Sequence, residues 1–171
     1  MNRTAAVLIA SVLLLTGCAA ESTPTLSLAD TKSSAQLNRN TISGKISPEI
    51  TASISQVTDA SEACDNDPKG LMRLWRSTAL TELTPEAAGK LETIQQSISG
   101  AFVSKGWESK SKQVSDSAVL VTLTNPSSLA TIEITATDDS EGSAASVYVD
   151  ITGPCVATAG PGSDELKALG E

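Results

Sequence analysis

The sequence predicts an α+β fold: two helices packed on one face of an antiparallel sheet, in the order α-β-α-β-β-β-β, closed by one disulfide. Three observations carry that expectation. Four segments in the second half of the chain read as strands, and two of them, 129–137 and 145–152, alternate apolar and polar residues at period two, the pattern of half-buried antiparallel strands. Leu91, Ile94, Ile98 and Phe102 form one apolar stripe at helical spacing. Two cysteines, Cys64 and Cys155, stand at either end of this region.

The elements follow in order. Ser47-Pro48-Glu49 supplies an N-cap, a proline at the first helical position and an acid in the first turn. Ile46, Ile50, Ile54 and Val57 then recur at near-helical spacing, which predicts a first helix. Residues 71–83, "LMRLWRSTALTEL", lack helix caps and read as a strand. Thr84-Pro85-Glu86 opens the second helix, Glu86 and Lys90 sit four apart in the favourable order, and Gly106 closes it as a left-handed cap. Strands are then expected at 107–114, 118–124, 129–137 and 145–152. Turn-forming "SDS", "NPSS" and "DDSEGS" separate them.

Composition narrows the chemistry. The chain has 171 residues, a formal net charge of −8 and only 2% aromatic residues. An acidic chain is poorly suited to nucleic acid, whose phosphates select clustered Lys and Arg. The same balance argues against an electrostatic grip on anionic lipid. Histidine is absent, which removes Ser-His-Asp and Cys-His catalysis, His-ligated zinc and imidazole acid–base work.

The N-terminal residues carry an address. Arg3 precedes an almost wholly apolar run over 5–15, too short to cross a bilayer, which needs ~20 residues. A charged start and a short apolar core predict a secretory signal peptide over 1–17. Leu15-Thr16-Gly17-Cys18 resembles the bacterial lipobox, in which cleavage precedes the cysteine and its thiol takes a diacylglycerol, with palmitate-type chains. Each buried CH₂ adds about 0.8 kcal/mol, so two or three acyl chains hold a protein stably on a membrane. The expected localisation is therefore the outer side of the cell membrane, anchored through Cys18. Residues 18–45, rich in Ser and Thr and poor in periodicity, are expected to form a flexible tether. The expected domain covers 46–156, and 157–171 are expected to form a disordered acidic tail with at most one frayed helical turn at Asp164–Leu169.

An exported chain meets oxidising conditions, where Cys64 and Cys155 allow one intramolecular bridge; two free buried thiols are the alternative. Cys64 precedes the first expected strand and Cys155 follows the last, so a bridge implies that these strands are antiparallel neighbours. The pattern as a whole resembles small exported lipoproteins of actinobacteria. The residues that carry the likeness are Cys18, Cys64, Trp75, Gly106-Trp107 and Gly153-Pro154-Cys155. The resemblance implies the address and the fold and adds no chemistry.

Other motifs are weaker. "DNDPKG" at 65–70 resembles the start of a calcium loop, but Lys69 and Arg76 stand where ligands belong. Ser109 and Lys112 have Ser-x-x-Lys spacing, yet on a strand they point to opposite faces. "DDSE" at 138–141 reads as a solvated hairpin loop. Trp75, Trp107 and Tyr148 read as packing residues. The expected function is a non-enzymatic interaction or structural module of the cell envelope, with an unknown envelope protein or ligand as partner and no cofactor. The alternative is a carrier that holds a small apolar or lipid ligand between helices and sheet.

Overall fold

The computed structural model describes residues 26–170 apart from Asn66, Pro68, Ala88 and 139–144. The expected signal peptide, the lipobox residues Leu15, Thr16, Gly17 and Cys18, and the first part of the expected tether lie outside the described residues.

The described chain is α+β. Seven strands form one antiparallel sheet: β1 (Thr51–Ala63), β2 (Met72–Leu83), β3 (Glu108–Ser115), β4 (Ala118–Thr124), β5 (Thr131–Thr137), β6 (Ser146–Thr152) and β7 (Val156–Ala157). Their spatial order is β1-β2-β6-β5-β4-β3, and β7 pairs with the start of β2. Helices α1 (Leu28–Ser43), α2 (Leu91–Val103) and α3 (Asp164–Ala168) complete the fold.

The second half of the chain folds as its alternation predicts. Register aligns Ala79, Val149, Ile134 and Val121 in one row across four strands, with Ser77, Ile151, Ile132 and Leu123 in the next. These side chains share one face and are buried. Helix α1 contacts β2 and β6, and α2 contacts β3, β4 and β5. Ile94, Ile98 and Phe102 supply the buried stripe of α2, and Trp107 meets the Phe102 ring edge-on at 5.2 Å. The Thr84-Pro85-Glu86 cap forms only a 3-10 turn, Pro85–Ala87, and the α-helix begins at Leu91.

The expected element order is corrected in three places. The first predicted helix is absent: Ser47 caps a single 3-10 turn, Pro48–Ile50, and the chain then runs as β1. Thr51, Ile54 and Thr58 favour extended backbone, and pairing with β2 from Thr51 to Ala63 satisfies a long ladder. Ile54 is exposed, so the spacing that suggested a helix marked no common face.

The tether is corrected next. Residues 28–43 form α1, started by a capping box in which Asp30 N–H donates to Ser27 Oγ and Ser27 N–H donates to Asp30 Oδ2. Leu28, Thr31, Ala35 and Ile42 are buried against the sheet. Two of those four are small or polar, which thinned the apolar stripe below notice. Gly153 permits the approach: a Cβ there would lie 3.2 Å from Thr31 Cβ and 3.4 Å from the Trp75 carbonyl oxygen.

The tail is corrected last. Ser163 caps α3, whose Leu166 is buried, and Lys32 Nζ of α1 donates to the Leu169 carbonyl at 2.8 Å. The two ends of the domain therefore pack together.

Cys64 and Cys155 form a disulfide with a sequence separation of 91. Closing a loop of that length stabilises by about 4–5 kcal/mol in the chain-entropy picture. Cys64 follows Ala63 of β1 and Cys155 precedes Val156 of β7, and both of those neighbours pair with Arg73 of β2, so the bridge ties the two flanks of β2 together, while β6 runs antiparallel beside β2.

Candidate functional site

Three polar clusters stand out, and the first two are structural. Asp59 on β1 accepts from Trp75 Nε1 and from Gln36 Nε2, each at 2.8 Å, with Arg39 at 3.6 Å. Arg39 also donates to Ser77 Oγ at 2.9 Å. Burial pushes the Asp59 carboxyl up, but the hydrogen bonds from Trp75 and Gln36 and the charge of Arg39 outweigh it, so the group sits below the ordinary carboxylate range. Lys32 Nζ stands 4.6 Å from the Trp75 ring centroid. Every member thus ties α1 to the sheet.

The second cluster lies on the opposite face of the sheet. Arg76 Nε donates to both carboxylate oxygens of Asp150, at 3.0 and 3.2 Å, and Arg76 Nη2 also donates to Asp150. Glu62 stands 3.6 Å away. Hydrogen bonds from Arg76 to Asp150 hold the guanidinium above its ordinary pKa. This network cross-links β2 and β6.

The third is a groove. Helix α2 spans the sheet only partly on this side, leaving the inner face of β3 uncovered. Between them runs an open groove of about 630 Å³. Its floor is Val119, Val121 and Ala136; one wall is Leu91, Glu92, Gln95, Gln96 and Ser99 of α2, and the other is Ser109, Ser111 and Gln113 of β3. Asp116, Ser117 and Asp138 close one end. Buried Gln95 fixes the helix wall by donating to the Val119 carbonyl at 2.9 Å. The groove presents hydroxyls, amides and carboxylates above a short apolar strip.

The motifs singled out in the sequence do not converge here. Asp67 of "DNDPKG" is occupied by its own backbone, accepting from Lys69 N–H at 3.1 Å and from Met72 N–H. These hydrogen bonds hold its carboxyl below the ordinary range. Ser109 pairs with Leu123 on the groove side of the sheet, whereas Lys112 pairs with Leu120 on the other side. Of "DDSE", Asp138 lines the groove and the rest lies outside the described residues. Trp75 and Trp107 are core residues, while Tyr148 lies half-buried on the Arg76 face. The sequence did hold one overlooked signal: β3 alternates small polar with charged residues, so neither face carries an apolar row.

No described helix is long and apolar enough to cross a membrane. Comparison with known proteins returns no matching family model, curated protein or solved structure.

Proposed function

We propose that this chain is a cell-surface lipoprotein, anchored through Cys18, that acts as a non-enzymatic interaction module of the cell envelope with the α2–β3 groove as its docking site. The observation that carries the reading is the placement of the groove. The described chain enters at Leu26, and the first turn of α1 packs on Gly153 just beyond the end of β6. Register puts that end level with Thr152, Thr131 and Thr124. The groove's closed end, at Asp116, Ser117 and Asp138, lies at the other end of β4 and β5. Along a strand such as β4 the two ends are about 20 Å apart. An anchor at the N-terminus would therefore join the described chain at the end of the sheet opposite the groove's closed end.

The lining supports binding rather than reaction. It offers Ser, Gln and carboxylate groups with no nucleophile–base pair in contact among the described residues, while its hydroxyls and amides suit an extended polar segment. The test of anchorage is fractionation: Cys18→Ser should leave uncleaved precursor or release the protein to the medium. A processed, membrane-bound Cys18→Ser form would remove the anchor.

The apolar strip Val119, Val121 and Ala136 favours a second reading, a carrier for a small apolar ligand. Native mass spectrometry of protein from its own host separates the two. A retained lipid supports the carrier, and a bare protein mass supports the module.

A further inference from the structure

We infer that the domain lies end-on against the lipid surface, with exposed Leu26 and Leu129 set into the bilayer interface; the inference rests on the proposed anchor at Cys18. Because α1 takes up residues 28–43, only residues 19–25 separate Cys18 from the described chain. Fully extended, the eight steps from Cys18 to Leu26 cover at most about 28 Å, at ~3.5 Å per residue. So short a link makes contact between domain and membrane intramolecular. The effective concentration is then high enough for a small apolar patch to suffice.

The end of the domain that the link reaches carries such a patch. Leu26 lies across a pocket of about 60 Å³ from Ser128 and Ala130, the neighbours of Leu129. Leu129, in the β4–β5 turn, is 72% exposed, the most of any large apolar side chain among the described residues. That turn follows Thr124 and precedes Thr131, which are level with Thr152 at the end of β6. Leu71 and Met72, at the start of β2, are exposed at the same end of the sheet.

The backbone holds Leu129 outward. Its φ of 61° is the only positive value at a non-glycine residue among the described residues. Glycine or asparagine takes that conformation at lower cost. Asn125 locks the turn: its Oδ1 accepts from Ser127 N–H at 2.9 Å and Ser128 N–H at 3.2 Å, and its carbonyl accepts from Leu129 N–H at 2.8 Å. A leucine here is costly in water both for its strain and for its apolar surface. Burial at the boundary of headgroups and acyl chains removes the second cost.

The grip is apolar. Residues 125–130 carry no charge, and Asp30, the one acid lining the pocket, is engaged with Ser27 in the α1 capping box. On the β2 side of this end acids outnumber lysines, with Asp65, Asp67, Asp164 and Glu165 against Lys69 and Lys167. Anionic headgroups therefore weaken the contact, and neutral lipid suits it best.

The test uses the full chain, processed in its own host and reconstituted in phosphatidylcholine vesicles, with the acyl group on Cys18 verified by mass. An environment-sensitive fluorophore on Ser127→Cys, in the same turn, should shift to the blue and be quenched by nitroxide-labelled lipid. On Val114→Cys, exposed at the opposite end of the sheet, it should do neither. High salt should leave the quenching at 127 intact, and anionic lipid should reduce it. Leu129→Asn, which suits the positive φ, should cause loss of that quenching without loss of the fold. Equal quenching at 127 and 114, none at 127, or quenching indifferent to Leu129→Asn overturns the end-on placement and leaves the anchor standing. So does a blue shift that needs no lipid and grows with protein concentration, which marks a second copy on the patch. Absence of the acyl group from Cys18 removes the anchor, and the inference falls with it.

Discussion

The indole Nε1 of Trp75 donates to Asp59 Oδ1 at 2.8 Å, although Trp75 is only 1% exposed and Asp59 sits on the sheet's edge strand. This bond is the centre of the contacts that hold α1 down: Gln36 and Arg39 reach the same carboxylate, and Lys32 lies over the indole ring. Trp75→Phe keeps the ring packing but removes the donor. It should cost about 1–3 kcal/mol, the usual penalty for an unsatisfied buried group, read as a lower denaturant midpoint with unchanged m-value.

The same carboxylate sets a pH dependence. The folded-state pKa of Asp59 lies below its ordinary 3.8. Its contribution is therefore present above the unfolded value and is lost as pH falls through the lower folded value. Stability should decline on acidification below about pH 5, and Asp59→Asn should flatten that limb while lowering stability at neutral pH. Parallel pH profiles for the two proteins would remove Asp59 from this role.

α1 belongs to the domain, so protein starting at Lys45 should unfold far more readily than protein starting at Ala19. Leu28→Ala and Ile42→Ala should each cost about 2–5 kcal/mol, as expected for buried aliphatic side chains. Superimposable melting curves for the long and short forms would return residues 26–44 to a tether.

How much of this was legible in the sequence depends on how each element earns its stability. β4, β5 and β6 alternate strictly because each has one face on the core, and their limits could be read directly. α2 was readable from Ile94, Ile98 and Phe102. β1 was not, because an edge strand with one bulged ladder needs few apolar residues and gains most from main-chain pairing. α1 was missed for a related reason: between Leu28 and Ile42 its inward residues include Thr31, Ala35, Gln36 and Arg39, and polar bonds to Asp59 replace part of the usual apolar stripe. The groove was invisible because it exists where α2 meets β3 yet leaves its residues exposed, a property of packing rather than of any motif.

The tightest approach of α1 to the sheet is at Gly153. A methyl group there presses on Thr31 and on the Trp75 carbonyl, so Gly153→Ala should destabilise by about 1–3 kcal/mol. In a double-mutant cycle, Thr31→Gly should restore part of the loss, because it removes the contacted Cβ. A failure of the second change to rescue the first would place the strain elsewhere.

Cys64→Ser with Cys155→Ser should keep the fold and lose about 2–5 kcal/mol, since the bridge joins the end of β1 to the β6–β7 connection, segments already held by their pairing with β2. Thiol titration of the denatured, unreduced protein should find neither Cys64 nor Cys155 free.

The docking groove is tested most directly by site-specific photo-crosslinking in intact cells. A photoreactive side chain at Gln96, on the groove wall, is compared with one at exposed Leu37 on α1. The account predicts one discrete protein adduct from position 96, absent from position 37. The same adducts from both positions, or none from position 96, would contradict a docking groove between α2 and β3.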